Sequence, residues 1–168
     1  MCPASSRPPA SVAPAHHYRG DNRCMSEDSA GYLIKQVYNS LNRTIDREMA
    51  PLELTAMQWR PMAMLALGRA DTPAELARQA GVDTGAMTRT LDRLEAKGLL
   101  RRVRSQEDRR VVKLDLTETG RQTAQRIGPV LARVLNHHLR GFSTDEVSLL
   151  THFLLRMIAN GSAPIQER

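Results

Sequence analysis

Residues 72–116 read TPAELARQAGVDTGAMTRTLDRLEAKGLLRRVRSQEDRRVVKLDL, and this stretch decides the fold. It opens with a helix start, because a threonine cap at Thr72 is followed by proline at the first helical position and by Glu75 at the third. The turn Gly81-Val82-Asp83 separates this short helix from a second one, whose predicted N-cap is the aspartate of that turn and whose predicted stop is Gly98. Two short helices joined by a tight glycine-containing turn are typical of a helix-turn-helix unit.

A basic β-hairpin is predicted directly after the second helix. Leu99–Arg104 and Val111–Leu116 have the composition and alternation of short strands, and the polar, charged segment Ser105–Arg109 forms the turn between them. A helix-turn-helix that is followed at once by such a hairpin is a winged helix-turn-helix.

Longer helices are predicted on both sides of this unit. Apolar residues recur at every fourth position over Leu33–Met49, which indicates an amphipathic helix that begins near Ser29 and ends before Pro51. A capping-box pattern at Thr55 begins another helix, although Pro61 within it cannot donate a backbone hydrogen bond.

Two further helices are predicted after the hairpin. Thr117 begins a long one that carries apolar residues up to Leu139 and bends at Gly128-Pro129, and Ser143 begins the last one with another capping box. The predicted fold class is thus mainly α with a small β-hairpin wing, and it has six helices. The terminal helices carry more apolar surface than one small winged domain can cover, which favours a homodimer.

The chain of 168 residues is long enough for one such domain, which we place at residues 29–160. Residues 1–28 are rich in proline, serine and alanine and lack the apolar segment of a secretory signal, so we expect a disordered tail in which Met25 is an alternative start. We expect residues 161–168 to be a flexible C-terminus. Because neither a signal nor an apolar membrane span is predicted, the expected location is cytoplasmic.

Basic residues are concentrated in one part of the chain. Residues 84–113 hold nine lysines and arginines against four acids, a net charge of +5, whereas the full chain carries +6. Charge focused in this way on a helix and a hairpin favours a nucleic-acid partner over a merely solubilising surface. The aromatic fraction of 4% argues against a reader of single strands, because such proteins stack bases on aromatic rings.

The second helix of the unit carries side chains that suit DNA. Arg89 can bridge two acceptors on a guanine edge, and Thr84 and Thr88 can reach bases or phosphates, although phosphate contact or plain exposure to solvent is an equal alternative for each. At the hairpin tip, arginine suits the narrow minor groove. The predicted DNA-binding residues are Thr84, Gly85, Thr88, Arg89, Arg93, Arg104, Asp108, Arg109 and Arg110, and the predicted core face of the helix is Met87, Leu91 and Leu94.

Several motifs resemble the MarR family of transcriptional regulators. They are Leu94–Leu100, the wing motif Ser105–Arg110 with its aspartate-x-arginine pattern at Asp108 and Arg110, Leu116–Gly120, and the stretch Gln58-Trp59-Arg60. The resemblance covers about residues 29–160 and includes the order of the six helices. It departs at Pro61, where the family more usually has an aliphatic residue.

The resemblance implies a homodimer whose first helix and last two helices (29–50 and 117–160) intertwine. Two winged lobes (55–116) would then bind a pseudo-palindromic operator in double-stranded DNA. By the same resemblance, Arg110 enters the minor groove, Asp108 orients it, and the helix from Thr84 lies in the major groove.

The resemblance also suggests a repressor that is released by a small aromatic or phenolic acid bound between the dimer region and the lobe. The candidate ligand-binding residues are Tyr38, Met57, Trp59, Arg60 and Met64. Tryptophan and methionine would form an adaptable apolar wall, and Arg60 could pair with a ligand carboxylate. The alternative, that Trp59 and the methionines are only core residues, is equally open.

Other functions have weaker support in the sequence. A winged-helix architectural or RNA-binding protein would bind without sequence preference. A redox sensor needs a cysteine within the fold, but Cys2 and Cys24 lie in the tail. A metal sensor would use histidines whose spacing does not suit a site on a helix, namely His16, His17, His137, His138 and His152. No nucleophile elbow, phosphate loop or zinc-protease motif indicates an enzyme, and no cofactor or metal is predicted.

Overall fold

The computed structural model describes residues 17–18, 26–104 and 112–164. Across these ranges, six α-helices and one two-stranded antiparallel sheet follow one another in the predicted order. The helices are α1 (Ala30–Met49), α2 (Ala56–Ala66), α3 (Pro73–Ala80), α4 (Thr84–Ala96), α5 (Glu118–His138) and α6 (Thr144–Gly161), the strands are β1 (Leu100–Arg104) and β2 (Val112–Leu116), and a 3-10 turn at Ala50–Leu52 follows α1. The predicted fold class, mainly α with a small β-hairpin, is confirmed.

The chain divides into two compact units, Met1–Asn39 and Ser40–Arg168, with the boundary inside α1. In the first unit, the backbone N–H of Ala30 at the start of α1 donates to the Tyr18 hydroxyl at 2.9 Å. No helix within the described ranges is both long and apolar enough to span a bilayer.

Most helix starts use the capping side chains that the sequence indicates. Thr72 accepts a hydrogen bond from the Glu75 N–H (3.3 Å), Asp83 accepts one from the Ala86 N–H (2.8 Å), and Ser143 accepts one from the Glu146 N–H (3.2 Å). These bonds satisfy donors that the first turn of a helix otherwise leaves unpaired.

The two internal prolines interrupt neither helix that contains them. Pro61 is buried within α2, and Pro129 lies within α5, which continues through the Gly128-Pro129 pair; the predicted bend there stays a prediction. Each proline removes one backbone donor, and its ring also crowds the carbonyl four residues earlier.

The core of the second unit brings together side chains from the last turn of α1, from α2 to α5 and from both strands. Its fully buried side chains include Met49, Met62, Leu76, Met87, Leu91, Leu94 and Leu100. Met87, Leu91 and Leu94 recur at the three- and four-residue spacing of one helix face, so the predicted core face of α4 is confirmed.

The two antiparallel strands are packed into this core at one end of the hairpin. Leu100 lies opposite Leu116, Arg102 opposite Leu114 and Arg104 opposite Val112. Leu100 and Leu116 at the base of the hairpin are buried, whereas Arg104 and Val112 at its other end are exposed. The hairpin is therefore fixed at its base and projects from the lobe at its outer end.

A close backbone contact joins the start of α5 to the turn before β1. Thr117 donates from its side chain to the Gly98 carbonyl (2.6 Å) and from its backbone to the Leu99 carbonyl (3.1 Å). A Cβ atom on Gly120 would lie 1.8 Å from the Leu99 carbonyl oxygen, so only glycine fits there.

Candidate DNA-binding surface

The exposed face of α4 carries the side chains that we predicted to read DNA. Thr84, Gly85, Thr88, Arg89 and Arg93 are all exposed, and the opposite face of the helix is the buried Met87, Leu91 and Leu94. The structure thus brings these five residues together on one rigid helix.

The first turn of α4 is compact. The Thr88 hydroxyl donates to the Thr84 carbonyl at 2.8 Å, which turns that side chain back along the helix. A Cβ on Gly85 would lie 3.1 Å from the Asp83 carboxylate and 3.6 Å from an Arg89 guanidinium nitrogen. Glycine at this position therefore leaves room for the capping aspartate and for Arg89 at the end of the helix.

Several cations of the basic stretch 84–113 are held by other parts of the same unit. Lys97 Nζ donates to the Glu53 carbonyl and to Gln58 Oε1 (3.2 Å), Arg101 pairs with Asp115 (2.7 Å), Arg102 pairs with Asp92 (2.6 Å) and Glu95, and Lys113 pairs with Asp71 (3.0 Å). The net charge of the stretch therefore overstates the number of cations that are available to a partner.

Three arginines of the stretch are available. Within the described ranges, the side chains of Arg89, Arg93 and Arg104 form no hydrogen bond or ion pair, and all three are exposed. Each of them is a predicted DNA-binding residue. Unpaired guanidinium groups can take up bidentate bonds to phosphates or to a guanine edge without first breaking a bond within the protein.

The tip of the wing lies outside the described residues. The predicted contacts of Asp108, Arg109 and Arg110 fall in that gap, and they remain predictions. Arg104 is the last described residue of β1, at the exposed end of the hairpin.

Arg102 has a different environment from the exposed arginines. Partial burial acts to lower its pKa, but the hydrogen bond to Asp92 and the negative charges of Glu95 and Asp92 together raise the pKa above its ordinary value. The backbone N–H of Arg102 also donates to Glu95 at 3.2 Å. Arg102 was absent from the predicted site, because spacing along the chain does not reveal a contact between a strand and the helix before it.

Two of the candidate ligand-binding residues form a contact with each other. The Arg60 guanidinium lies 5.4 Å from the centre of the Trp59 ring and donates to Asn42 at 3.1 Å. The Trp59 Nε1 atom is buried and has no hydrogen-bond partner. Met64 is packed against the core and Met57 is 42% exposed, while Tyr38 belongs to the first unit and is 54% exposed.

A cavity lies elsewhere in the second unit. It has a volume of about 550 Å³ and lies between the end of α2, β2 and the first half of α5. Its walls are mainly apolar, with Asp71, Asp115 and Arg121 as the charged residues. None of the five candidate ligand-binding residues lines it, so it gives them no support, and their role remains a prediction.

The described ranges were also compared with the requirements of a metal or redox sensor. They contain no group of three or more histidine, cysteine, aspartate or glutamate side chains placed to hold a metal ion. Cys2, Cys24 and His16, which a redox or metal sensor would use, lie outside the described residues.

Known proteins share this architecture and this sequence pattern. A model of the MarR family matches residues 52–111. The multiple antibiotic resistance protein MarR of Escherichia coli is 31% identical over 129 residues, and that of Salmonella typhimurium is 34% identical over 132 residues. Both alignments cover 76% of this chain and 90% of the relative.

Two similar solved structures contain DNA. One is a mutant E. coli MarR complexed with operator DNA, with a TM-score of 0.69 and 30% identity over 76% of this chain and 91% of that one. The other is the transcriptional repressor CouR bound to a 23-mer DNA duplex, with a TM-score of 0.70 and 26% identity over 84% of this chain and 99% of that one.

Proposed function

Because the chain belongs to the MarR family of winged-helix transcriptional regulators, we propose that it binds a specific sequence of double-stranded DNA as a homodimer and represses transcription there. The observation that carries this proposal is the exposed face of α4, where the side chains of Arg89 and Arg93 form no hydrogen bond or ion pair with any described residue while Met87, Leu91 and Leu94 on the opposite face are fully buried. Because we propose that the protein acts on DNA, we expect it in the cytoplasm.

In the proposed complex, α4 lies in the major groove. That groove is wide enough to admit a helix, and its base edges can be distinguished by hydrogen bonds. Arg89 and Arg93 bind base edges or phosphates, and Thr84, Gly85 and Thr88 allow the end of the helix to approach closely. The relatives bound to operator DNA and to a DNA duplex support this placement by their similarity.

The wing contacts the adjacent minor groove. Arg104 is the last residue of β1 and is exposed, and the proposed tip residues Arg109 and Arg110 follow it in the sequence. A narrow minor groove has an enhanced negative potential that attracts arginine, and Asp108 would hold Arg110 in one orientation.

A homodimer would present two lobes to the two halves of a pseudo-palindromic operator. We propose that residues 55–116 form the lobe and that 29–50 and 117–160 form an intertwined dimerisation region, flanked by a tail (1–28) and a C-terminal segment (161–168) without a fixed role. In support, α6 contains no buried residue although much of it is apolar. Its large exposed side chains are Leu149, Leu150, Phe153, Leu154, Leu155, Met157 and Ile158.

We further propose that a small aromatic or phenolic acid releases the protein from DNA. Trp59 and Arg60 combine an apolar ring with a cation, which suits such a ligand. Tyr38, Met57 and Met64 complete the proposed ligand-binding set.

The test of DNA recognition starts from a library of randomised duplexes. Wild-type protein should enrich one partly palindromic sequence and bind it at least about a thousandfold more tightly than unrelated DNA. Arg89→Ala should weaken binding to the enriched duplex about tenfold or more. Arg101→Ala is the matched control, since it removes the same charge from an arginine that is paired with Asp115. Equal affinity for every duplex, or for RNA, would favour an architectural or RNA-binding protein instead.

The test of ligand response uses the same duplex. Aromatic and phenolic acids from a broad panel should weaken the complex in a gel shift and change the fluorescence of Trp59, the only tryptophan in the chain. A panel without any effect on either readout would contradict the ligand proposal while leaving DNA recognition intact.

A further inference from the structure

Arg102 on β1 holds two carboxylates of α4. Its Nη2 donates to Asp92 Oδ1 at 2.6 Å, its Nη1 donates to the Glu95 carboxylate, and its backbone N–H donates to Glu95 Oε1 at 3.2 Å. The side chain of Arg102 is 30% exposed, whereas that of the paired Arg101 is 64% exposed. Within the wing base, Arg102 is thus the more deeply seated cation, and it has the larger number of bonds.

The position of Asp92 makes this contact important for the DNA-facing side of α4. Residues three apart on a helix lie next to each other on its surface, so an arginine at position 89 and an aspartate at position 92 are placed to form an ion pair. No such pair is formed. Asp92 instead bonds to Arg102, and Arg89 has no hydrogen bond or ion pair among the described residues.

We propose that Arg102 is a positioning residue that withholds Asp92 from Arg89 and thereby keeps the Arg89 guanidinium available to DNA. The inference rests on the proposed function, in which α4 meets the major groove. Arg102 prevails because its planar guanidinium bridges Asp92 and Glu95 at once from a partly buried position, while Arg89 could offer only one exposed contact along the helix.

The same contact removes a repulsive charge. Asp92 is 57% exposed on its side chain and lies on the helix that would approach phosphates. Its pairing with a cation compensates the negative charge near the backbone of the duplex. Loss of Arg102 would therefore weaken DNA binding in either case, because Asp92 would either bind Arg89 or face DNA as an unpaired carboxylate.

Glu95 provides the matched comparison. It is also a partner of Arg102 and lies on the same helix, but it is six residues from Arg89, so the two side chains are not neighbours on the helix surface. Substitution of Asp92 or of Glu95 by its amide removes one negative charge in either case. Only the change at Asp92 removes the competitor for Arg89.

The experiment measures binding to the duplex that wild-type protein enriches from a randomised library. Arg102→Met should weaken binding about tenfold, similar to the loss of a direct arginine contact. Adding Asp92→Asn to Arg102→Met should restore most of that loss, whereas adding Glu95→Gln should restore little. Asp92→Asn alone should have almost no effect, because Asp92 is already withheld from Arg89.

Two results would overturn the inference while leaving the proposed function standing. If the Arg102→Met protein with Asp92→Asn is as weak as Arg102→Met alone, Arg102 contacts DNA itself or only stabilises the lobe. If Asp92→Asn and Glu95→Gln restore binding equally, general charge accounts for the effect. A wild-type protein that enriches no sequence would instead overturn the proposed function, and the inference with it.

Folding is checked separately by the thermal midpoint of each variant. Should Arg102→Met fail to fold, Arg102→Lys replaces it in the same set of variants, because a lysine keeps the charge but is a single point charge that bridges two carboxylates poorly. The same pattern of rescue, by Asp92→Asn and not by Glu95→Gln, is then expected, and its absence would overturn the inference.

Discussion

The winged lobe and the last helix use similar apolar residues in opposite ways. In the lobe, Met87, Leu91 and Leu94 of α4 are fully buried, and the exposed face is polar. In α6, no residue is buried, and Leu155 and Ile158 are 61% and 67% exposed. The lobe therefore buries its apolar side chains within one chain, whereas α6 leaves an exposed apolar surface, which we propose is covered by a second copy.

The comparison separates what holds the lobe together from what assembles the protein. A substitution in the lobe core should lower the free energy of unfolding, while a substitution on α6 should leave the lobe folded and weaken the dimer. Three predictions test this division, and a fourth concerns a helix cap; they run from the largest expected effect to the smallest.

Gly120→Ala should be the most damaging change. A Cβ at this position would lie 1.8 Å from the Leu99 carbonyl oxygen, so the start of α5 or the turn before β1 must move. We expect a loss of about 4 kcal/mol or more in the free energy of unfolding, measured by urea denaturation.

Gly128→Ala in the same helix is the control for Gly120→Ala. Apart from its chain neighbours and the nearby helix backbone, nothing lies within 4 Å of a Cβ built on Gly128. Alanine gains about 0.5–1 kcal/mol from its better helix propensity, but its Cβ meets the ring of Pro129, which disfavours the helical conformation, so Gly128→Ala should change the free energy of unfolding by no more than about 1 kcal/mol. Equal stability of the two variants would show that the contact at Gly120 does not restrict the lobe.

The same substitution at two methionines tests the comparison directly. Met87 is fully buried, and Met157 is 47% exposed. Met87→Ala should cost about 2–5 kcal/mol, because it leaves a cavity in a core that cannot fully collapse. Met157→Ala should change the unfolding of the lobe by less than about 0.5 kcal/mol, as is usual for exposed positions. Denaturation at low protein concentration, where assembly contributes least, distinguishes the two; similar losses would refute the division into core and interface.

Ile158→Glu tests whether α6 assembles the protein. A charge placed on an exposed apolar surface does not disturb the lobe, but it must be desolvated when a second copy covers that surface. We expect the dissociation constant of the dimer to rise about tenfold or more, which sedimentation would detect. The affinity for a duplex with two half-sites should fall in parallel. A control is Arg156→Glu, whose effect should be smaller, because Arg156 is two residues from Ile158 and so points to a different side of α6. Its guanidinium lies 5.3 Å from the centre of the Phe153 ring. Unchanged assembly of the Ile158→Glu protein would exclude this face of α6 from the interface.

Local sequence patterns were sufficient for the secondary structure. Thr72, Asp83 and Ser143 cap helices as predicted, because a capping bond joins residues three apart, and the spacing of Met87, Leu91 and Leu94 identifies the buried face of α4. Such features depend only on near neighbours in the chain.

Whether each lysine or arginine is paired within the protein could not be predicted from near neighbours in the chain. Lys113 pairs with Asp71, and Lys97 reaches Gln58, across 42 and 39 residues of sequence, respectively, so composition alone counts both as part of a free basic surface. Whether a cation is paired, as Lys97 and Lys113 are, or available, as Arg89 is, depends on how helices and strands pack. For the same reason, the sequence did not indicate the cavity between α2, β2 and α5, whose walls come from segments far apart in the chain.

The smallest expected effect concerns the start of α6, which is independent of either side of the comparison. Ser143 and Glu146 form a reciprocal capping box, in which the Ser143 N–H donates to the Glu146 carboxylate at 2.8 Å. That bond, and the one with the serine side chain, lower the pKa of Glu146 below its ordinary value of 4.5. Ser143→Ala removes the side chain that accepts from the Glu146 N–H, and it should cost about 1 kcal/mol in helix stability, the usual cost of losing an N-cap.

The pH dependence of this cap has a definite sign. Because the pKa of Glu146 is lower in the folded state, its contribution is fully present above pH 4.5 and is lost as the pH falls through the lowered value. Glu146→Gln should thus be less stable than the wild type at pH 7 and should approach it in acid. Thermal unfolding of both proteins, recorded from pH 7 down to acid, measures the difference; a gap that stays constant with pH would mean that the carboxylate charge contributes nothing to the cap.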